Sequence, residues 1–123
     1  MARNPVGWFE IYVQDMARSR AFYEVVLGVT LTRLAVDALE MWAFPMDDGA
    51  PGASGSLVQA PGMPSGGNST MVYFSSADCA AEAGRVEAAG GRLERQKMSI
   101  GQYGFVAIAR DPDGNVFGLH SMA

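Results

Sequence analysis

The chain has one cysteine, one histidine and no long apolar run. A single thiol, Cys79, forms no internal disulfide and builds no cysteine-type metal cluster, which suits a reducing cytoplasm. Without a long apolar stretch or a basic-then-apolar leader, neither a transmembrane helix nor a signal peptide is expected, and a cytoplasmic location is. Positive charge is also scarce. Nine Lys and Arg against 13 Asp and Glu leave a net charge of −4, which argues against nucleic acid and anionic membrane as partners. What is present is ordinary for a folded domain: 123 residues, 49% hydrophobic and 18% charged. A chain of this size forms one domain and buries roughly two-thirds of its unfolded surface. Eight methionines are many for the length, and methionine adapts to irregular cores and pockets.

Patterning divides the chain into two similar halves. Val6 to Val13 alternates and predicts a strand, with Phe9, Ile11 and Val13 on one face and Trp8, Glu10 and Tyr12 on the other. Asp15 caps a predicted helix over Met16 to Leu27, with Phe22, Val25 and Val26 on its inner face and Gly28 as its stop. Strands are expected at Thr30 to Val36, Leu39 to Met46 and Gly55 to Ala60. Residues 61–69, rich in Pro, Gly and Ser, form a linker between units at 6–60 and 70–123. The plan then repeats: a strand at Met71 to Ser76, Asp78 capping a helix over Cys79 to Ala89, and strands at Arg92 to Lys97 and Tyr103 to Arg110. Asp15 and Asp78 stand 63 residues apart, so spacing rather than identity reveals the repeat.

Asp111-Pro112-Asp113-Gly114-Asn115 closes the second unit. Pro112 presets φ, Gly114 accepts a positive φ, and the Asp and Asn side chains close local hydrogen bonds, so a hairpin turn is expected. Val116 to Ser121 should leave it as the last strand. The fold class predicted is α+β, with two tandem βαβββ units forming a curved mixed sheet around a cavity, a single domain over 1–123. Strand parity then turns Trp8, Glu10, Tyr12, Met71, Tyr73, Ser75, Gly118 and His120 towards the concave side.

These features resemble the vicinal oxygen chelate superfamily of glyoxalase I, extradiol dioxygenases and bleomycin-resistance proteins. The likeness is carried by Asp15, Ser19-Arg20-Ala21-Phe22-Tyr23 and Leu27-Gly28, by Glu87-Ala88-Ala89-Gly90-Gly91, and by the Asp-Pro-Asp-Gly-Asn turn. Within the superfamily the chain looks most like small lactoylglutathione-lyase-related proteins. The resemblance implies a cup holding one divalent metal, with ligand positions falling at Trp8, Ser56, Met71 and Gly118. Those residue types offer no carboxylate and no imidazole, the donors a hard or borderline divalent ion requires. No cofactor and no metal are therefore expected. The family's habit of pairing such units implies a homodimer.

Two groups on the inner face can carry acid–base chemistry. Glu10 and His120 are candidates for a catalytic carboxylate–imidazole pair, since histidine titrates near neutrality and a buried glutamate can be raised towards it. Trp8, Tyr12, Trp42, Met71, Tyr73 and Tyr103 are candidates for lining a ligand pocket. For each, ordinary packing or a local hydrogen bond is the competing account. The expected partner is a small molecule, bound by a glyoxalase/bleomycin-resistance-like protein. Whether the chain is an enzyme stays open at this point. A lyase, isomerase or dioxygenase with its metal relocated to Glu10 and His120 is one alternative, and a non-catalytic interaction module another. Residues 98–103 are expected to form a loop between two strands, read first as an ordinary connection, with closure over the cavity mouth, eased by Gly101, as the alternative.

Overall fold

A computed structural model describes residues 4–123 of the chain. The first unit runs β1 (Phe9–Tyr12), α1 (Met16–Leu27), β2 (Thr32–Arg33), β3 (Glu40–Ala43) and β4 (Gly55–Gln59). The second runs β5 (Val72–Ser75), α2 (Cys79–Ala83), β6 (Arg92–Ser99), β7 (Phe105–Arg110) and β8 (Val116–Ser121), with a short 3-10 turn at Gly101–Tyr103. Each unit forms a four-stranded mixed sheet, in the orders β1-β4-β3-β2 and β5-β8-β7-β6. In both, the first strand pairs parallel with the last, and the remaining pairs are antiparallel. The fold is α+β.

Helix α1 has the predicted ends. Asp15 accepts from the Arg18 N–H, and Gly28 closes the helix in the left-handed region. Its buried stripe is Met16, Ser19, Phe22, Tyr23 and Val26. Val25, expected on that face, is instead 52% exposed, because it lies one residue off the 3.6-residue stripe. Helix α2 is shorter than expected. After Ala83 the chain tightens into i→i+3 bonds from Arg85 to Glu82 and from Val86 to Ala83, and continues as turns to Gly90.

The two sheets share one core. Phe9, Phe22, Tyr23 and Phe44 of the first unit meet Phe74 and Phe117 of the second, with ring centroids 5.0–6.0 Å apart. The tilted and edge-to-face arrangements are those aromatic quadrupoles favour. The Asp-Pro-Asp-Gly-Asn turn also works across the units. Asp111 accepts from Tyr23 of α1 at 2.8 Å, and Asp113 accepts from Arg18 and Ser19. Asn115 donates to the Tyr12 carbonyl and accepts from the Gly66 N–H. Gly114 carries the positive φ, 83°, that the turn requires. Segment 61–69 is held in the same network, since Gln14 and the Tyr12 carbonyl both bond Ser65.

Candidate functional site

Register fixes what each sheet shows to either side. In the second sheet Phe117, Leu119, Ala107 and Ala109 face the helix and the core. The opposite, concave face carries two rows that run across all four strands. One is Tyr73–Gly118–Ile108–Arg95, and the other is Ser75–His120–Val106–Met98. Together with Ile100 these side chains line a cavity of about 500 Å³. Ligand sites usually measure roughly 300–1,000 Å³ and are mostly apolar with a few polar groups.

Gly118 is the centre of this face. A Cβ built there would run into the Cδ2 and Cε2 atoms of Tyr73, whose ring leans from β5 across the backbone of β8. An aromatic side chain laid over a cross-strand glycine covers backbone that no side chain of its own protects. Tyr73 remains 49% exposed, so the ring is open on its outer side. The position that the resemblance assigns to a carboxylate ligand is therefore filled by the ring of a neighbour.

The other three ligand positions fit a divalent ion no better. Trp8 and Met71 are 38% and 36% exposed and precede their strands. Ser56 is fully buried, and its Oγ has no hydrogen-bond partner. Among the described residues no three His, Cys, Asp or Glu side chains stand close enough to hold a metal. The donors present do not suit a hard or borderline divalent ion.

Glu10 and His120 are not brought together. Glu10 accepts from the Tyr12 hydroxyl at 2.8 Å and lines a cavity of about 340 Å³ at the seam between β1 and β5. That hydrogen bond, with desolvation added, holds the Tyr12 phenol above its usual ionisation range. His120 lines the concave cavity of the second sheet, and its Nε2 lies 2.7 Å from the Tyr103 carbonyl. A carbonyl only accepts, so Nε2 carries a proton and donates it, which leaves Nδ1 as the ring nitrogen turned to the cavity's other contacts. The expected carboxylate–imidazole pair is thus two groups with separate partners in separate cavities.

The candidate pocket residues divide as well. Tyr73 lines the concave cavity and Tyr12 the seam. Trp42 does not face the concave side: it pairs in register with core-facing Leu57, and the Arg20 guanidinium lies 3.4 Å from its ring centroid. Trp8 stands beside the 45–54 loop. Tyr103 is 65% exposed and reaches the site only through its carbonyl. Arg95, Val106 and Ile108 line the cavity without having been anticipated. Strand β7 signals the last two, because Phe105-Val106-Ala107-Ile108-Ala109 is apolar on both faces and each face needs an apolar neighbour.

Paired βαβββ units of this topology, each a four-stranded mixed sheet with one helix, define a two-sheet class of α+β protein. Residues 6–119 match the model of the Glyoxalase/Bleomycin resistance protein/Dioxygenase superfamily, and the chain belongs to that family. It is 30% identical over 112 residues to "Putative glyoxylase CFP32" of Mycobacterium bovis, covering 91% of this chain and 42% of that protein. The chain thus spans less than half the length of the curated relatives it matches. Among solved structures it is similar to TnmS3, an antibiotic binding protein from Streptomyces, at 26% identity and a TM-score of 0.69, over 100% of this chain and 99% of that one. Glyoxalase I from Zea mays shares the fold at 24% identity and a TM-score of 0.74, over 96% of this chain and 46% of that one. No helix among the described residues is long and apolar enough to cross a membrane.

Proposed function

We propose that this chain binds a small organic molecule on the concave face of its second sheet and does so without a divalent metal. The observation that carries the reading is the Tyr73 ring lying over Gly118, which puts an aromatic surface where a metal ligand would otherwise stand. The cavity of about 500 Å³ supports it, as does the likeness over the whole chain to an antibiotic-binding protein. Binding or sequestration fits the geometry better than proton transfer, because Glu10 and His120 are engaged separately. His120 would orient a ligand through Nδ1.

Elemental analysis of protein purified without chelator, together with a thermal-shift screen of metals and small metabolites, tests the proposal. Expected are a raised melting midpoint with an organic ligand, by mass action on the native state, and loss of that shift in Tyr73→Ser. Stoichiometric Zn, Ni, Mn or Fe in the purified protein would overturn the metal-free reading.

Pairing with a second copy is also proposed, because the concave face is open on one side and carries exposed Tyr73, Met98 and Ile100. Sedimentation should give a dimer mass, and a monomer at all concentrations would refute it.

A further inference from the structure

Taking that cavity as the ligand site, we infer the chemistry of its ligand: a planar aromatic carboxylate, with its ring on Tyr73 and its anionic group on Arg95. Three observations converge on one row of the sheet. The first is the floor. Tyr73 leans over Gly118 with its outer side open, and the next residue across, Ile108, continues the apolar surface. A flat unsaturated ring stacks there better than a puckered or branched group.

The second is how Arg95 reaches this face at all. Leu93 pairs with core-facing Ala109, so simple alternation would place residue 95 opposite Ala107, on the helix side. The register instead shifts between Leu93 and Arg95 and again between Arg95 and Met98, which pairs Arg95 with concave-facing Ile108. Bulges re-aim side chains in this way and are frequent beside binding sites. Met98 is brought to the same face by the second shift.

The third is charge. Among the described residues Arg95 has no ion-pair partner, although Glu94 beside it bonds both Arg92 and Arg110. Among the described residues it is the only Lys, Arg, Asp or Glu lining the cavity, on a protein whose net charge is −4. A guanidinium presents paired N–H donors that match a carboxylate. At a strand spacing of about 4.8 Å, Tyr73 and Arg95 are three strands, roughly 14 Å, apart at the backbone. With the Tyr73 ring lying over Gly118 and Arg95 lining the far side of the cavity, the span between them suits one fused or substituted ring system with a carboxylate at its end.

The test uses the full chain and four probes: 2-naphthoate, its uncharged analogue 2-naphthamide, cyclohexanecarboxylate and 2-naphthylmethylammonium. Affinities come from calorimetry, and amide shifts report the location. Expected is saturable binding of 2-naphthoate that shifts Tyr73, Ile108 and His120, at least tenfold tighter than the other three. Arg95→Met, an exposed residue with no ion-pair partner to lose, should remove the preference for naphthoate over naphthamide while keeping the fold. Tyr73→Leu should weaken both naphthyl probes. If the uncharged, aliphatic or cationic probe binds the cavity as tightly as 2-naphthoate, the ligand class is wrong and the site stands. If none of the four shifts Tyr73, Ile108 or His120, both this inference and the site fail.

Discussion

At Asp111 both carboxylate oxygens are engaged within the molecule. Oδ1 accepts from the N–H groups of Asp113 and Asn115, and Oδ2 from the Tyr23 hydroxyl and the Asn115 amide. Burial nevertheless dominates and raises the Asp111 carboxyl above the usual carboxylate range, while burial and the neighbouring Asp111 push the Tyr23 phenol well up. Tyr23→Phe removes one donor from a buried acid and should cost about 1–3 kcal/mol, read as a lower urea midpoint at unchanged slope. Because the folded value of Asp111 lies above the unfolded one, its contribution is fully present below the unfolded value and is lost as pH rises through the folded one. Losing the Tyr23 donor raises Asp111 further, so the deficit of Tyr23→Phe should be largest at neutral pH and shrink in acid.

Among single residues, strand parity made Tyr73 and His120 legible from sequence, since alternation away from a known core face determines direction. Trp42 was not legible: its direction follows from pairing with Leu57, and register is a long-range property. Arg95 was hidden for a related reason, because two bulges break the alternation on which such reasoning depends.

At the scale of elements, local chemistry was the better guide. Asp15 and Gly28 mark α1 to the residue because caps act on their own helix ends. For α2 the cap at Asp78 is present, but the helix ends at Gly84, well before the Gly90-Gly91 pair that the sequence offered as its stop. Asp78 also binds Lys97 of β6 at 2.7 Å, and that hydrogen bond, helped by the Ala80 N–H, lowers its carboxyl below the ordinary value. A lowered folded value contributes stability above the unfolded value, and the contribution disappears as pH falls through the folded one. Lys97→Met should therefore melt below wild type at neutral pH, and the two melting curves should converge in acid. The same strand is the open edge of its sheet. Arg92, Glu94, Arg95 and Lys97 place charge along it, which discourages pairing with another strand.

The whole molecule depends on what joins its two sheets, and this was the part least visible in the sequence. Spacing announced two units, but not that six aromatic rings from both would share one cluster, nor that Glu10 and His120 would end in different cavities. Phe117 touches Phe22 and Tyr23 of the first unit and Phe74 of the second. Phe117→Ala should cost about 3–5 kcal/mol. Both tryptophans, Trp8 and Trp42, lie in the first unit, so their fluorescence reports on that half alone. The expected outcome is a fluorescence transition that falls as far as the circular-dichroism transition, in one cooperative step. Separation of the two curves would mean that the units unfold independently.

The Tyr73–Gly118 pair bears on the history open to such a chain. A glutamate introduced at 118 would meet the Tyr73 ring, and a smaller residue at 73 alone would leave a bare glycine with nothing to bind. Neither step by itself leads towards a metal ligand, and the first forces the ring out of its place. Placing a carboxylate there takes two changes made together, so the two positions are coupled. Variation in what the cup holds is therefore open to single substitutions, whereas a carboxylate at 118 is not.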